Sequence, residues 1–194
     1  MHKISGQHEF VEFRELFFSP EKADDYLQSL VQEVHWQEQH ITLFGKQVMQ
    51  PRLTAWYADV GLSYTYSKTT FHPMKWIPIL EELKNVVSTT INTPFNSVLC
   101  NLYRNGSDSM GWHSDDEKEL GLDPIIASLS FGAERKFSLR HKQTRLTESL
   151  ILSHGSLLIM KPGCQSVYQH AVPKTGKLCG PRVNLTFRQI HPAQ

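Results

Sequence analysis

After Pro94 the chain falls into seven short runs in which apolar and polar residues alternate: FNSVLCNLY, IIASLSF, RKFSLRH, SLILS, SLLIMKPG, SVYQHAV and RVNLTFRQI. Period-two alternation punctuated by turn formers predicts strands, and so many in succession predict a β-sandwich or barrel. Upstream the spacing changes. Ser19 caps a run opened by Pro20, and Ala23, Tyr26, Leu27, Leu30, Val31 and Val34 recur at helical intervals, predicting a helix over 20–34. A second helical pattern covers Trp76 to Val87, with Pro78 tolerated in its first turn. Residues 41–71, punctuated by Gly45, Pro51 and Gly61, read as hairpins and loops. The expected fold is mainly β with N-terminal helices: an extension over 1–94 and a β core over 95–194, one compact domain overall.

Composition narrows the function classes. Of 194 residues 40% are hydrophobic and 20% charged, a globular balance. Lys plus Arg total 20 against 19 Asp plus Glu, so an anionic partner must be met by a local patch rather than by a basic surface overall. Cys100, Cys164 and Cys179 contain no CxxC pair, which argues against a disulfide framework or thiolate zinc site and fits a reducing compartment. MHKISGQHEFVEF has no apolar signal core, and no run of about 18 apolar residues offers a membrane span. A monomer without membrane association or secretion signal is expected, cytoplasmic in a bacterium and nuclear in a eukaryote.

Strand alternation also sorts the residues that carry chemistry. In RVNLTFRQI, Arg182, Asn184, Thr186 and Arg188 share one face; Val183, Leu185 and Phe187 share the other. Two arginines on one face can hold both ends of a dicarboxylate, whereas the bland alternative is an edge strand with a solvated polar face. Asn101 and Tyr103 likewise share a face, opposite Val98, Cys100 and Leu102. In GWHSDDE, His113 and Asp115 stand at i and i+2, a spacing that suits chelation. Ten His and seven Asp give about 0.4 such triplets by chance, so the triplet needs a third ligand. His170, in another strand-like run, is best placed to supply it. Two His and one carboxylate form the facial triad of non-haem Fe(II) oxygenases, and catalytic zinc accepts the same set. The arginine strand favours iron, because 2-oxoglutarate has a keto acid to chelate Fe(II) and a distal carboxylate for an arginine. The remaining histidines have no partner pattern, and His154 is the nearest competitor to His170.

NLYRNGSDSMGWHSDDE, ASLSFGAERKFSLRHK, SHGSLLIMKPG, QHAVPK and PRVNLTFRQI, taken in this order, resemble the AlkB family of Fe(II)/2-oxoglutarate dioxygenases. TLFGK, Pro51-Arg52 and GLSYTYS extend the likeness towards its duplex-DNA repair branch. The resemblance implies a double-stranded β-helix (jelly-roll) core and a nucleotide-recognition lid within 1–94. It implies iron on His113, Asp115 and His170. It implies 2-oxoglutarate on Asn101, Tyr103, Arg182, Thr186 and Arg188, with Asn184 added, Arg188 at the C1 carboxylate and Arg182 at the distal one. Substrate contacts are implied for Phe44 as a wedge in the gap left by a flipped base, for Gly45, Lys46 and Arg52, and for Tyr64, Thr65 and Tyr66, with Tyr66 stacking the base against His113. Asp116 is implied to contact the exocyclic amine of the base. The family's long basic loop is reduced here to RHKQTRLTES, where Arg140, Lys142 and Arg145, with Lys174 and Lys177 elsewhere, leave a smaller phosphate-binding patch. The activity implied is O₂-dependent demethylation of 1-methyladenine and 3-methylcytosine in alkylated DNA, single-stranded or duplex, releasing formaldehyde, succinate and CO₂. Action on RNA or a protein side chain is the alternative of the same class, and a non-catalytic jelly-roll binding module that of a different one.

Overall fold

The computed structural model describes residues 2–3, 8–43, 46–62, 64–66, 69–71 and 73–191. In chain order the strands are β1 (His2–Lys3), β2 (Val11–Arg14), β3 (His40–Leu43), β4 (Lys46–Met49), β5 (Leu53–Ala58), β6 (Tyr64–Tyr66), β7 (Thr69–Phe71), β8 (Ser97–Tyr103), β9 (Met110–His113), β10 (Ile126–Gly132), β11 (Arg135–His141), β12 (Thr147–Leu152), β13 (Ser156–Met160), β14 (Tyr168–Val172) and β15 (Arg182–Arg188). Helix α1 is Pro20–Glu33, α2 Pro78–Ile91 and α3 Cys164–Val167. Two larger sheets carry the fold, in the orders β2-β13-β10-β15-β8-β5 and β1-β12-β11-β14-β9, and β3-β4 and β6-β7 form separate ribbons. This is the jelly-roll architecture, with strands from the first 94 residues at both edges of the six-stranded sheet.

The sequence explains the helix boundaries. Ser19 Oγ accepts from Lys22 N–H at 3.3 Å, and Pro20 opens α1. Helix α2 starts at Pro78 rather than Trp76, because a residue preceding proline is driven out of the helical region, and Ile77 is extended. It also runs past Val87 to Ile91, a polar last turn invisible to apolar periodicity, and stops on left-handed Asn92.

Ala23, Tyr26 and Leu30 of α1 and Leu80, Leu83 and Val87 of α2 pack with Val98, Cys100, Val183, Leu185 and Phe187 in one cluster, which covers one face of the six-stranded sheet. Residues of the second cluster, including Tyr103, Ile126, Phe137, Leu139, Leu152 and Met160, come from both sheets and fill part of the space between them. No helix among the described residues is long and apolar enough to cross a membrane.

Gly132, at φ +89°, turns the chain out of β10, and a Cβ there would lie 2.4 Å from the Pro181 carbonyl oxygen. Gly132→Ala adds left-handed strain and a backbone clash just before β15. It is expected to cost about 2 kcal/mol or more, read as a melting-temperature drop of roughly 4–8 °C.

Candidate metal centre and its two cavities

Strand β15 lies between β10 and β8, and every one of its residues is buried, so the edge-strand alternative fails. Register places Arg182 opposite Tyr103 and Asn184 opposite Asn101 on one side. On the other side it places small partners: Gly132, Ser130 and Ser128 stand opposite Arg182, Asn184 and Thr186. Between the sheets a cavity opens on Asn101, Tyr103, Arg182, Asn184, Thr186 and Arg188, the polar set expected from alternation.

Hydrogen bonds preset this cavity. Asn184 Nδ2 donates to Ser128 Oγ at 2.7 Å and to the Leu129 carbonyl at 2.9 Å, and Thr186 Oγ1 donates to Asn184 Oδ1 at 3.2 Å. Arg182 Nη2 donates to Ser130 Oγ at 2.9 Å, and its guanidinium lies 5.0 Å from the Tyr103 ring centroid. Its Nε and Nη1 have no hydrogen-bond partner among the described residues, although Arg182 is only 1% exposed. Burial pushes this guanidinium below its ordinary pKa. A buried cation without a carboxylate partner is costly unless an anion joins it.

At one end of the cavity His113, Asp115 and His170 converge, each offering a ligand atom within 4.8 Å of the others. Strand pairing sets His113 directly opposite His170. Asp115 is fixed from two sides: its N–H donates to Gln165 Oε1 at 3.0 Å, and its Oδ1 accepts from Arg188 Nη2 at 2.8 Å. Its Oδ2 has no hydrogen-bond partner among the described residues and lies 4.0 Å from His170 Nε2; His113 Nε2 is 3.8 Å from Oδ1. These gaps are too long for hydrogen bonds and leave room for a cation between the three side chains.

The protonation states fit the same task. Burial pushes the Asp115 carboxyl up, but Arg188, His170 and His113 together outweigh it and hold the group at about 2. Burial, then the neighbouring His113, lowers His170 to about 3, which leaves a neutral imidazole at pH 7. His113 Nδ1 donates to the Gly111 carbonyl at 2.9 Å, which leaves Nε2 as the ring nitrogen facing the cluster. A carboxylate and two imidazole lone pairs are a complete donor set for Fe(II) or zinc.

A second cavity adjoins the first and shares Leu99, Met110, His113, Asp115 and Arg188 with it. Arg52 lines it, buried, with Nε donating to Asn101 Oδ1 at 2.7 Å and so tying the two cavities together. The Asp116 side chain is 64% exposed, with Lys142 Nζ at 3.6 Å. Of the other expected substrate contacts, Phe44 and Gly45 lie outside the described residues, as do the side chains of Lys46, Tyr64, Thr65 and Tyr66. His154 stands apart from the centre, with Nδ1 accepting from Gly132 N–H at 2.8 Å and Nε2 3.2 Å from Asp24 Oδ1.

Three contributors escaped the sequence reading. Gln165 holds the Asp115 backbone. Arg135 donates to the Asn105, Asp108 and Pro173 carbonyls while its guanidinium sits 5.4 Å from the Tyr103 ring centroid. Met110 lines both cavities because the β14-β9 register slips by one residue, pairing Val172 with Met110 and His170 with His113. A bulge of this kind leaves no mark in an alternation pattern.

Residues 11–188 match the family model of the 2OG-Fe(II) oxygenase superfamily. The chain is 47% identical over 186 residues to the human alpha-ketoglutarate-dependent dioxygenase alkB homolog 3, covering 91% of this chain and 64% of that protein. It is 41% identical over 186 residues to the human DNA oxidative demethylase ALKBH2, covering 90% of this chain and 71% of that protein. It thus spans less than two thirds of the first of these relatives. The solved structure of OsALKBH1 shares the fold, with a TM-score of 0.67 at 13% identity over 94% of this chain and 99% of that one.

Proposed function

This chain belongs to the 2OG-Fe(II) oxygenase superfamily, and from that premise we propose that it removes N-methyl groups from alkylated DNA bases, 1-methyladenine and 3-methylcytosine among them. In this reading His113, Asp115 and His170 hold Fe(II), and 2-oxoglutarate fills the inner cavity. The observation that carries it is Arg182, a buried guanidinium with no ion pair among the described residues, at the far end of a polar cavity that begins at the His-Asp-His cluster. A dicarboxylate that chelates the metal at one end meets that cation with the other.

Iron, 2-oxoglutarate and O₂ bound there supply the oxidation, yielding succinate, CO₂ and a hydroxymethyl base that releases formaldehyde. The chain's own part is positional. Arg182, Tyr103, Asn101 and Thr186 orient the cosubstrate. Asn184 is held by Ser128 and holds Thr186 in turn, and Arg188 braces both Asp115 and the cosubstrate carboxylate nearest the metal. The outer cavity receives the flipped base. Phe44, Gly45, Lys46, Arg52, Tyr64, Thr65 and Tyr66 contribute to a nucleotide-recognition lid within 1–94, ahead of the 95–194 core. Asp116 favours bases that methylation has made cationic, since its exposed carboxylate offers the complementary charge. The DNA oxidative demethylase name of a 41% identical relative supports the DNA substrate.

Formaldehyde release from 3-methylcytosine in single-stranded DNA, duplex DNA and RNA, with a methylated peptide in parallel, tests the proposal. Turnover on DNA is the expected result. Turnover on RNA alone would move the substrate, and turnover on the peptide alone would overturn the reading.

A further inference from the structure

The bulge that turns both Met110 and His113 inward leaves Gly111 and Trp112 on the outside of β9, an edge strand. Trp112 is 38% exposed, unusual for the largest aromatic side chain, and the Arg140 guanidinium lies 4.1 Å from its ring centroid. Arg140 reaches Trp112 from β11 across β14, where its Nη2 donates to Gln169 Oε1 at 3.1 Å. Its Nε has no hydrogen-bond partner, and it forms no ion pair among the described residues. Arg145, in the following turn, pairs with no carboxylate among the described residues either, and its charge is near enough to act on Arg140.

We propose that this outer face, centred on Trp112 and Arg140, is a stacking and phosphate-binding site for single-stranded nucleic acid leaving the catalytic pocket. The proposal rests on the nucleic-acid substrate put forward above. Trp112 is the chain neighbour of His113, which lines the outer cavity. The face that carries Trp112 is thus one residue along β9 from the lining of that cavity, within reach of the units that flank one held inside. An aromatic face beside two unneutralised guanidinium groups matches the alternation of base and phosphate in a single strand. Lys142 is already engaged with the Gln165 carbonyl and Asp116, which leaves Arg140 and Arg145 as the phosphate contacts. In duplex DNA the flanking bases are stacked on one another, so the ring has nothing to receive.

Fluorescence anisotropy of the full chain with an undamaged labelled oligonucleotide of about fifteen nucleotides tests this. For single-stranded DNA, Trp112→Ala is expected to weaken binding about tenfold, with Trp112→Phe retaining most of it. Arg140→Met is expected to weaken binding and flatten its salt dependence. Duplex binding should change far less. Single-strand binding within twofold of wild type in both Trp112→Ala and Arg140→Met would overturn the proposal, as would equal losses on duplex and single strand. A 2-oxoglutarate affinity that fell in step with oligonucleotide affinity would overturn it too, assigning Trp112 to holding His113. Because the probe carries no lesion, the site stands or falls separately from demethylation, which formaldehyde release from wild type reports.

Discussion

Replacing Asp115 with alanine is expected to lower formaldehyde release from a 3-methylcytosine oligonucleotide by more than about a hundredfold and to abolish stoichiometric binding of Fe(II) or Co(II) under anaerobic titration. Loss of a group that merely orients a ligand commonly costs 10- to 100-fold in metal affinity, and Asp115 is itself the carboxylate of the cluster. Alanine also deprives Arg188 of its 2.8 Å acceptor, so a second variant separates the two effects. Asp115→Asn keeps an oxygen for Arg188 and for the fold but offers the metal a neutral amide. Both variants should lose turnover, and the asparagine variant, which keeps an acceptor for Arg188 but not its counter-charge, should melt below wild type and above the alanine variant. A metal-competent, active Asp115→Asn would remove this residue from the centre, leaving two histidines too few to hold iron in a facial arrangement.

How far that centre can be read without coordinates depends on how local each signal is. The two faces of RVNLTFR follow from strand geometry alone, and the buried strand keeps Arg182, Asn184, Thr186 and Arg188 on one cavity. Asp115 and Asp116 separate for a related reason, since successive residues of an extended segment point opposite ways: one carboxylate is buried and the other exposed. Contacts between distant segments leave no such trace. Gln165 reaches Asp115 across 50 positions, and Arg52 reaches Asn101 across 49. Neither segment announces its partner, because side-chain hydrogen bonds of this kind are set by tertiary packing. Local reading also failed where the backbone departs from a regular period. The first residues of SVYQHAV belong to α3, which left-handed Gly163 opens at φ +85°, and the strand begins only at Tyr168. At Met110 the bulge does the same.

Arg182→Met is expected to raise the KM for 2-oxoglutarate by about two orders of magnitude or more while leaving the cosubstrate-free protein as stable as wild type, or more so. The two effects have one cause. Without an anion the guanidinium is a buried charge that no carboxylate among the described residues pairs with, held by Ser130 Oγ and by Tyr103. Exchanging such a charge for an apolar side chain of similar length removes a desolvation cost that no carboxylate among the described residues offsets. With the dicarboxylate present the balance reverses. Each charge-assisted hydrogen bond contributes about 1.5–3 kcal/mol, and a guanidinium fork makes two, so roughly 3–6 kcal/mol of cosubstrate binding disappears. Thermal melts with and without 2-oxoglutarate separate these terms: wild type should gain stability on adding the cosubstrate, and Arg182→Met should gain almost none. Arg182→Lys should restore little, because a single ammonium cannot reproduce the two parallel donors. A methionine variant that melted far below wild type yet bound 2-oxoglutarate normally would make Arg182 a structural cation and put the far carboxylate somewhere else in the cavity.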